Sequence, residues 1–389
     1  MRILHTSDWH IGRTFHGTST MDALAEVLGA LTEQVRTKSV DVVVVAGDVF
    51  DSATPSGAAY TLLGDALVAL HETGASVIVT SGNHDSAARL GFQARLLRDG
   101  IRVLTDPLDI GTPVTVDDAT GPVHFFGIPY LEPAIVRQHW PDGDSAGRPL
   151  RTQAQTMAHA MDLVRAGMQQ HPGRSVAIAH CFAAGVDATI GLEREVRQGG
   201  LDVVPLEVFD GPDYVALGHI HGRNQLSERV RYAGAPLRYS FGEQNKPRGS
   251  WLVDLDDSGL ARVEWLDLPV PRRLVTLTGT LDEILSADNI AAHAGDWVCA
   301  VYTDAVPQTE PMRRLREKFP HCAMVQHQPP VAVESGVGSY AQRLRTAETD
   351  TERIDAFLTH VRAGQGPTER ESELIREVLD DRVRAEALV

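Results

Sequence analysis

The spacing of apolar residues changes period along the chain. Residues 3–6, 40–46 and 75–80 read as short strands, the second nearly all valine, as expected of a strand buried on both faces. Between them the period becomes helical. Met21, Leu24, Leu28, Leu31 and Val35 share one face over 21–38. Leu62, Leu63, Ala66, Leu67 and Leu70 share another after Pro55 and Ser56, with Gly74 as the stop. This βαβαβ rhythm predicts parallel strands, with ligands gathered at their carboxyl ends. The middle is strand-rich, with apolar runs at 114–116, 123–128, 176–179, 214–217, 231–233 and 251–255 and one helical stretch at 153–168. Stretches of Gly, Pro and Asp at 141–149 and 242–249 read as surface loops. The fold class expected is α/β: two packed mixed β-sheets flanked by helices.

Pro269 and Pro271 mark a boundary, beyond which 274–278, 282–285, 297–302, 311–319 and 323–326 alternate as a small βαβαβ unit. Pro329, Pro330 and residues 336–339 read as a linker, followed by polar helices over 351–361 and 368–387. In the second of these, Leu374, Ile375, Val378, Leu379 and Val383 form a narrow stripe. It either packs on the chain's own core or docks onto a partner's helices. The expected division is 1–270 for the large domain, 271–340 for a small α/β domain and 341–389 for a C-terminal helical tail.

Five segments change this picture from a fold to a site. They are Asp8 with His10, Asp48, Asn83 with His84, His180, and His219 with His221, four of them directly after an apolar run. Asp8 and His10 are spaced by two, so both can point one way. Asp48 follows a glycine that permits close backbone approach, and its carboxylate can bridge two cations. Asn83 offers an uncharged oxygen, and the three remaining histidines offer imidazole nitrogens. Mixed oxygen and imidazole donors without thiolate suit Mn²⁺, Fe or Zn²⁺ better than Ca²⁺ and disfavour Mg²⁺. Two cations about 3.5–4 Å apart can activate a shared water for attack on phosphorus and neutralise the charge that builds there. His84 would then donate a proton to the leaving oxygen or stabilise the transition state. The expectation is a metal-dependent phosphoesterase.

Composition narrows its setting. Three cysteines without a CxxC pair exclude a disulfide framework and a structural zinc site, and suit a reducing cytoplasm. No run of eighteen apolar residues exists and residues 2–4 enter a strand at once, which predicts neither a membrane span nor a cleaved leader. The formal net charge is −16 across 389 residues, an unusual value for a protein that grips DNA by itself. A partner would have to supply much of any such affinity.

The five segments resemble the calcineurin-like metallophosphoesterase superfamily, whose pattern runs D-x-H, G-D, G-N-H, H and G-H-x-H. Closer still is the likeness to the SbcD-type nuclease subunits of bacterial SbcCD complexes, in the Mre-type branch. It is carried by LHTSDWHIGR at 4–13, AGDVFD at 46–51, SGNHDS at 81–86, YVALGHIH at 214–221, YAGAPL at 232–237 and SFGE at 240–243. The resemblance implies one metal held by Asp8, His10, Asp48 and His221, and a second held by Asp48, Asn83, His180 and His219. It implies His84 in the transition-state role and Mn²⁺ as the usual pair of cofactors. It further implies DNA as substrate, cut at ends by exonuclease and at single strands or hairpins by endonuclease action, in repair and recombination. An SbcC-like coiled-coil ATPase partner bound by the tail, a homodimer within a heterotetramer and a cytoplasmic, nucleoid-associated location complete the implied picture. The small α/β unit would be the capping domain.

Two departures stand out: Ala235 where many members have serine, and Asp51 where archaeal and eukaryotic relatives have a second active-site histidine. Arg13, Arg89 and Arg95 lie near the motifs as candidate phosphate contacts or plain surface charge. The alternative function is a small-nucleotide phosphodiesterase or phosphatase using the same metals. Ser52 after Asp51, where phosphoprotein phosphatases typically place arginine, counts against the phosphatase branch.

Overall fold

Alternation within the valine run sets the layering. Val42, Val44 and Ala46 face a cluster that includes Phe125, Val176, Ile178 and Ala216, whereas Val43 and Val45 face Leu24, Leu28, Leu63 and Leu67 on the neighbouring helices. Every residue of this strand is therefore buried, and each of its four valines stabilises the fold by roughly 1.5–3 kcal/mol. The computed structural model describes residues 1–144, 147–184, 203–329, 340–362 and 365–386. They form two units, Met1–Arg273 and Leu274–Val389.

In the first unit, besides a short hairpin of Thr14–Phe15 and Thr18–Ser19, the strands of the two large sheets are β1 (Arg2–Thr6), β2 (Val42–Ala46), β3 (Ser76–Thr80), β4 (Ile101–Leu104), β5 (Val114–Asp118), β6 (Gly121–Gly127), β7 (Arg174–His180), β8 (Tyr214–Gly218), β9 (Asn224–Gln225), β10 (Val230–Tyr232), β11 (Gly249–Asp256) and β12 (Gly259–Asp267). One sheet has the order β12-β11-β1-β2-β3-β4 and the other β9-β10-β8-β7-β6-β5. Both are mixed. β1 to β4 run parallel, while β11 runs antiparallel to both of its neighbours, β1 and β12. In the second sheet β6, β7, β8 and β10 run parallel. Helices Met21–Thr37 and Gly57–His71 cover the first sheet and Gln153–Gln170 the second. Ser56 caps the second of these helices by accepting from Ala59 N. The expected α/β sandwich is the fold observed.

Three details differ from the sequence reading. β4 and β12 were not expected, because both carry polar residues on an edge and lack a continuous apolar run. Residues 242–249 are not simply a surface loop: Glu243 and Arg248 are buried and paired with each other. Their charged side chains disguised burial as exposure.

The second unit holds a parallel sheet of β13 (Leu274–Gly279), β14 (Trp297–Tyr302) and β15 (Cys322–His327). Leu277, Leu281, Val298, Leu315 and Phe319 form its core. A capping box between Thr280 and Glu283 starts the helix Leu281–Ile284, and another between Thr349 and Glu352 starts Asp350–Val361. The last helix is Glu369–Glu386; Leu374 and Val378 on it are exposed, while Ile375 and Leu379 are partly covered. Residues 336–339 of the expected linker, Pro330 and the side chain of Val383 lie outside the described residues. Among the described residues no helix is long and apolar enough to cross a membrane.

Candidate metal centre

All five segments follow the carboxyl ends of parallel strands: β1, β2 and β3 in one sheet, β7 and β8 in the other. The loops after β1 and β2 are zipped together, Asp8 N donating to Gly47 O and His10 N to Asp48 O, both at 3.0 Å. Seven non-glycine residues among those described have positive φ, and four of them are Asp8 (55°), His10 (46°), Asp48 (48°) and His219 (108°). Strained backbone of this kind persists where the surroundings over-determine it, commonly at functional sites.

Two groups of donor atoms result. In the first, His10 Nε2 lies 3.0 Å from His221 Nε2 and 3.6 Å from Asp48 Oδ2. Asp8 joins them, the ligand atoms of Asp8, His10 and His221 all lying within 4.8 Å of one another. In the second, His180 Nε2 and His219 Nδ1 each lie 3.0 Å from Asn83 Oδ1, and His180 Nε2 is 3.4 Å from Asp48 Oδ2. Asp48 thus faces both groups. His180 Nδ1 is 3.0 Å from the Ala46 carbonyl. A carbonyl only accepts, so Nδ1 carries a proton and Nε2 is the nitrogen turned inward, where it takes either a second proton or a metal.

Close packing leaves no room for side chains at two glycines here. Gly47 has φ +76°, and a Cβ on it would overlap the His180 ring. A Cβ on Gly82 would overlap the Asp48 carboxylate. Asp85 fastens this corner, accepting from Gly82 N at 2.8 Å, Val49 N at 3.0 Å and Phe50 N at 2.8 Å.

The electrostatics fit cations. Burial would raise Asp48, yet the charges of His180 and His10 hold it well below the usual carboxylate range. Burial would likewise lower His180, but Asp48 overrides it and raises the imidazole to about 9. That proton stands where a divalent ion would neutralise Asp48 instead. His219 is pushed down to about 3 by burial and by His180, and burial also lowers His10. Burial and Asp48 push Asp85 up to about 6. Convergent imidazole nitrogens with two carboxylates and an amide, and no thiolate, suit borderline divalent metals.

His84 Nδ1 lies 2.9 Å from the Asp51 carbonyl, and its backbone N donates to Asp48 Oδ1 at 2.9 Å. The structure also brings its ring within 4.8 Å of His10, edge to face. Arg13 pairs with Asp51 at 2.9 Å and lies over the Tyr239 ring. Arg89 is exposed and donates to Ala53 O; Arg95 is exposed as well. The sequence reading missed Glu243, Arg248, Asp85 and Tyr239. Glu243 Oε1 sits 3.4 Å behind His221 Nδ1, and Tyr239 packs against the His10 ring while its hydroxyl donates to Trp9 O. Glu243 stood within the SFGE segment, but nothing in its spacing linked it to His221.

The chain belongs to the calcineurin-like phosphoesterase family, which residues 1–223 match. Membership makes it a hydrolase of phosphoester bonds and implies divalent metals. Residues 270–362 match an SbcD C-terminal domain, described as the Type 5 capsule protein repressor C-terminal domain. Together the two domains support an SbcD-type nuclease subunit. Solved structures similar to this chain include a Thermus thermophilus protein at 15% identity, covering 68% of this chain and 98% of that one with a TM-score of 0.40. A dimetal phosphatase from Danio rerio shows 15% identity over 69% of this chain and 98% of its own, TM-score 0.39. An archaeal phosphodiesterase shows 13% identity over 68% and 100%, TM-score 0.31.

Proposed function

We propose that the chain is a Mn²⁺-dependent DNA nuclease subunit, an exonuclease on duplex ends and an endonuclease on single strands and hairpins, that works with an SbcC-like coiled-coil ATPase in DNA repair and recombination. The observation that carries it is the pair of donor groups meeting at Asp48. Asp8, His10, Asp48 and His221 hold one cation; Asp48, Asn83, His180 and His219 hold the other. Bound there, the cations supply an activated water and neutralise charge on the phosphate. His84 spends its Nδ1 proton on the Asp51 carbonyl, so Nε2 is the atom left for substrate. From Nε2 it donates a proton to the leaving oxygen or stabilises the transition state. Arg13 and Arg89 flank the site as candidate phosphate contacts.

The domain reading is 1–270 for catalysis, 271–340 as a capping domain and 341–389 as the partner-binding tail. Exposed Leu374 and Val378 support docking of that tail onto an apolar partner surface. The net charge of −16 agrees with DNA affinity that comes largely from the ATPase. A homodimer is supported by Phe92 and Leu96, 80% and 83% exposed beside a groove of about 630 Å³ lined by Tyr60, Leu63, Leu67 and Leu97.

The test is Mn²⁺-dependent cutting of a hairpin-ended duplex, alone and with the ATPase. His84→Ser should lower cutting by about 10²–10⁴-fold with metals still bound. Leu374→Asp with Val378→Asp should lose the ATPase. Intact DNA in every arm, together with rapid turnover of a cyclic nucleotide, would establish the second reading that the acidic charge favours: a small-nucleotide phosphodiesterase.

A further inference from the structure

The two donor groups differ in what stands behind their imidazoles. Both histidines of the first group are backed by carboxylates: His10 Nδ1 lies 3.3 Å from Asp51 Oδ1, and His221 Nδ1 lies 3.4 Å from Glu243 Oε1. Among the described residues neither Nδ1 nor Glu243 Oε1 makes a hydrogen bond, so each pair meets as a close ion-pair contact with no competing partner on these atoms. Glu243 is fully buried and fixed through its other oxygen, which accepts from Arg248 Nη2 at 2.6 Å and Tyr239 N at 2.9 Å. Arg248 also donates to the His221 carbonyl, so one guanidinium braces both ends of the dyad. In the second group, His180 is backed by the neutral Ala46 carbonyl, and His219, whose inward Nδ1 faces the Asn83 amide, has no ion pair with a carboxylate among the described residues. The direct carboxylates do not separate the two groups, because the ligand atoms of Asp8 and Asp48 lie within 4.8 Å of His180 as well, so the difference lies behind the rings.

A carboxylate behind an imidazole fixes its tautomer and strengthens the ligating nitrogen, and carboxylate count tunes affinity for divalent ions. We propose that the two cation positions are unequal, the His10–His221 position filling first and holding its metal more tightly, with Glu243 as the main positioning residue. This rests on the two-metal reading above. Arg13 shares Oδ1 of Asp51 with His10, whereas Arg248 takes the opposite oxygen of Glu243. Glu243 therefore keeps the oxygen that faces its histidine free of any competing hydrogen bond among the described residues.

Calorimetric titration of the metal-free full chain with Mn²⁺, with the electron paramagnetic resonance of bound Mn²⁺ as a second readout, tests it. The wild type should show two steps at least about tenfold apart. Glu243→Gln should weaken the tight step by about 10–100-fold and leave the weak one in place. Asp51→Asn should do the same to a smaller degree, and being partly exposed it carries the test if Glu243→Gln fails to fold. Two coincident steps in the wild type overturn the proposal while two metals remain. So does a folded Glu243→Gln that weakens both steps equally, the weak step alone, or neither. Absence of any uptake by the wild type overturns the two-metal reading itself.

Discussion

The Nε2 atoms of His10 and His221, 211 positions apart in the chain, lie 3.0 Å from each other. At that separation one nitrogen must donate to the other, or both must turn their lone pairs toward a common electrophile. Metal should therefore stabilise the protein. At a free Mn²⁺ concentration one hundred times the dissociation constant, the gain is about 2.7 kcal/mol per site. Thermal denaturation with Mn²⁺ and with chelator reads it. Asp48→Asn, which removes the carboxylate facing both groups, should abolish most of the Mn²⁺-dependent shift in Tm; an unchanged shift would remove Asp48 from the site.

Gly82→Ala should destabilise the chain by about 1–3 kcal/mol, because the added methyl overlaps the Asp48 carboxylate in a fully packed corner. It should also cost metal affinity by displacing Asp48. Urea denaturation and Mn²⁺ titration measure the two effects. A variant as stable and as metal-competent as the wild type would mean that this corner yields more readily than its packing indicates.

How much of this was legible beforehand depended on the kind of residue. The valine run of β2 and the helical spacing of Leu24, Leu28 and Leu31 declared their layers, because apolar period and burial coincide there. The donor residues declared themselves by following strands. β12 stayed hidden because exposed Arg262 and half-buried Glu264 interrupt any apolar signal. Glu243 and Arg248 stayed hidden because a charged residue reads as surface until its partner is known. Arg13 could have been a phosphate contact or surface charge, and its pairing with Asp51 appears only in three dimensions.

Phe92→Glu combined with Leu96→Glu should convert a dimer to a monomer in light scattering at micromolar concentration. Both side chains are more than three-quarters exposed, so the monomer fold loses little by the change. A wild type that is already monomeric, or a variant that stays dimeric, places any self-association elsewhere.

Arg174 donates two hydrogen bonds to Asp118, at 3.0 and 2.7 Å, and holds its carboxyl well below the usual range. A depressed carboxylate stabilises the fold above its unfolded pKa of about 3.9 and loses that contribution as pH falls through the folded value. Metal-free wild type and Asp118→Asn should accordingly melt furthest apart at neutral pH and converge below about pH 4. A gap that is constant with pH would assign the difference to packing rather than to charge.

One β-sheet provides Asp8, His10, Asp48 and Asn83, and the other provides His180, His219 and His221. Each cation would therefore act as a stitch across the seam of the sandwich. Neither half carries the full ligand set of either position, so complete uptake of metal should report that both layers are docked. Stripping the ions should loosen the rim of the seam before it touches the valine-lined interior, and amide exchange would register that fraying first in the loops beyond β2 and β8.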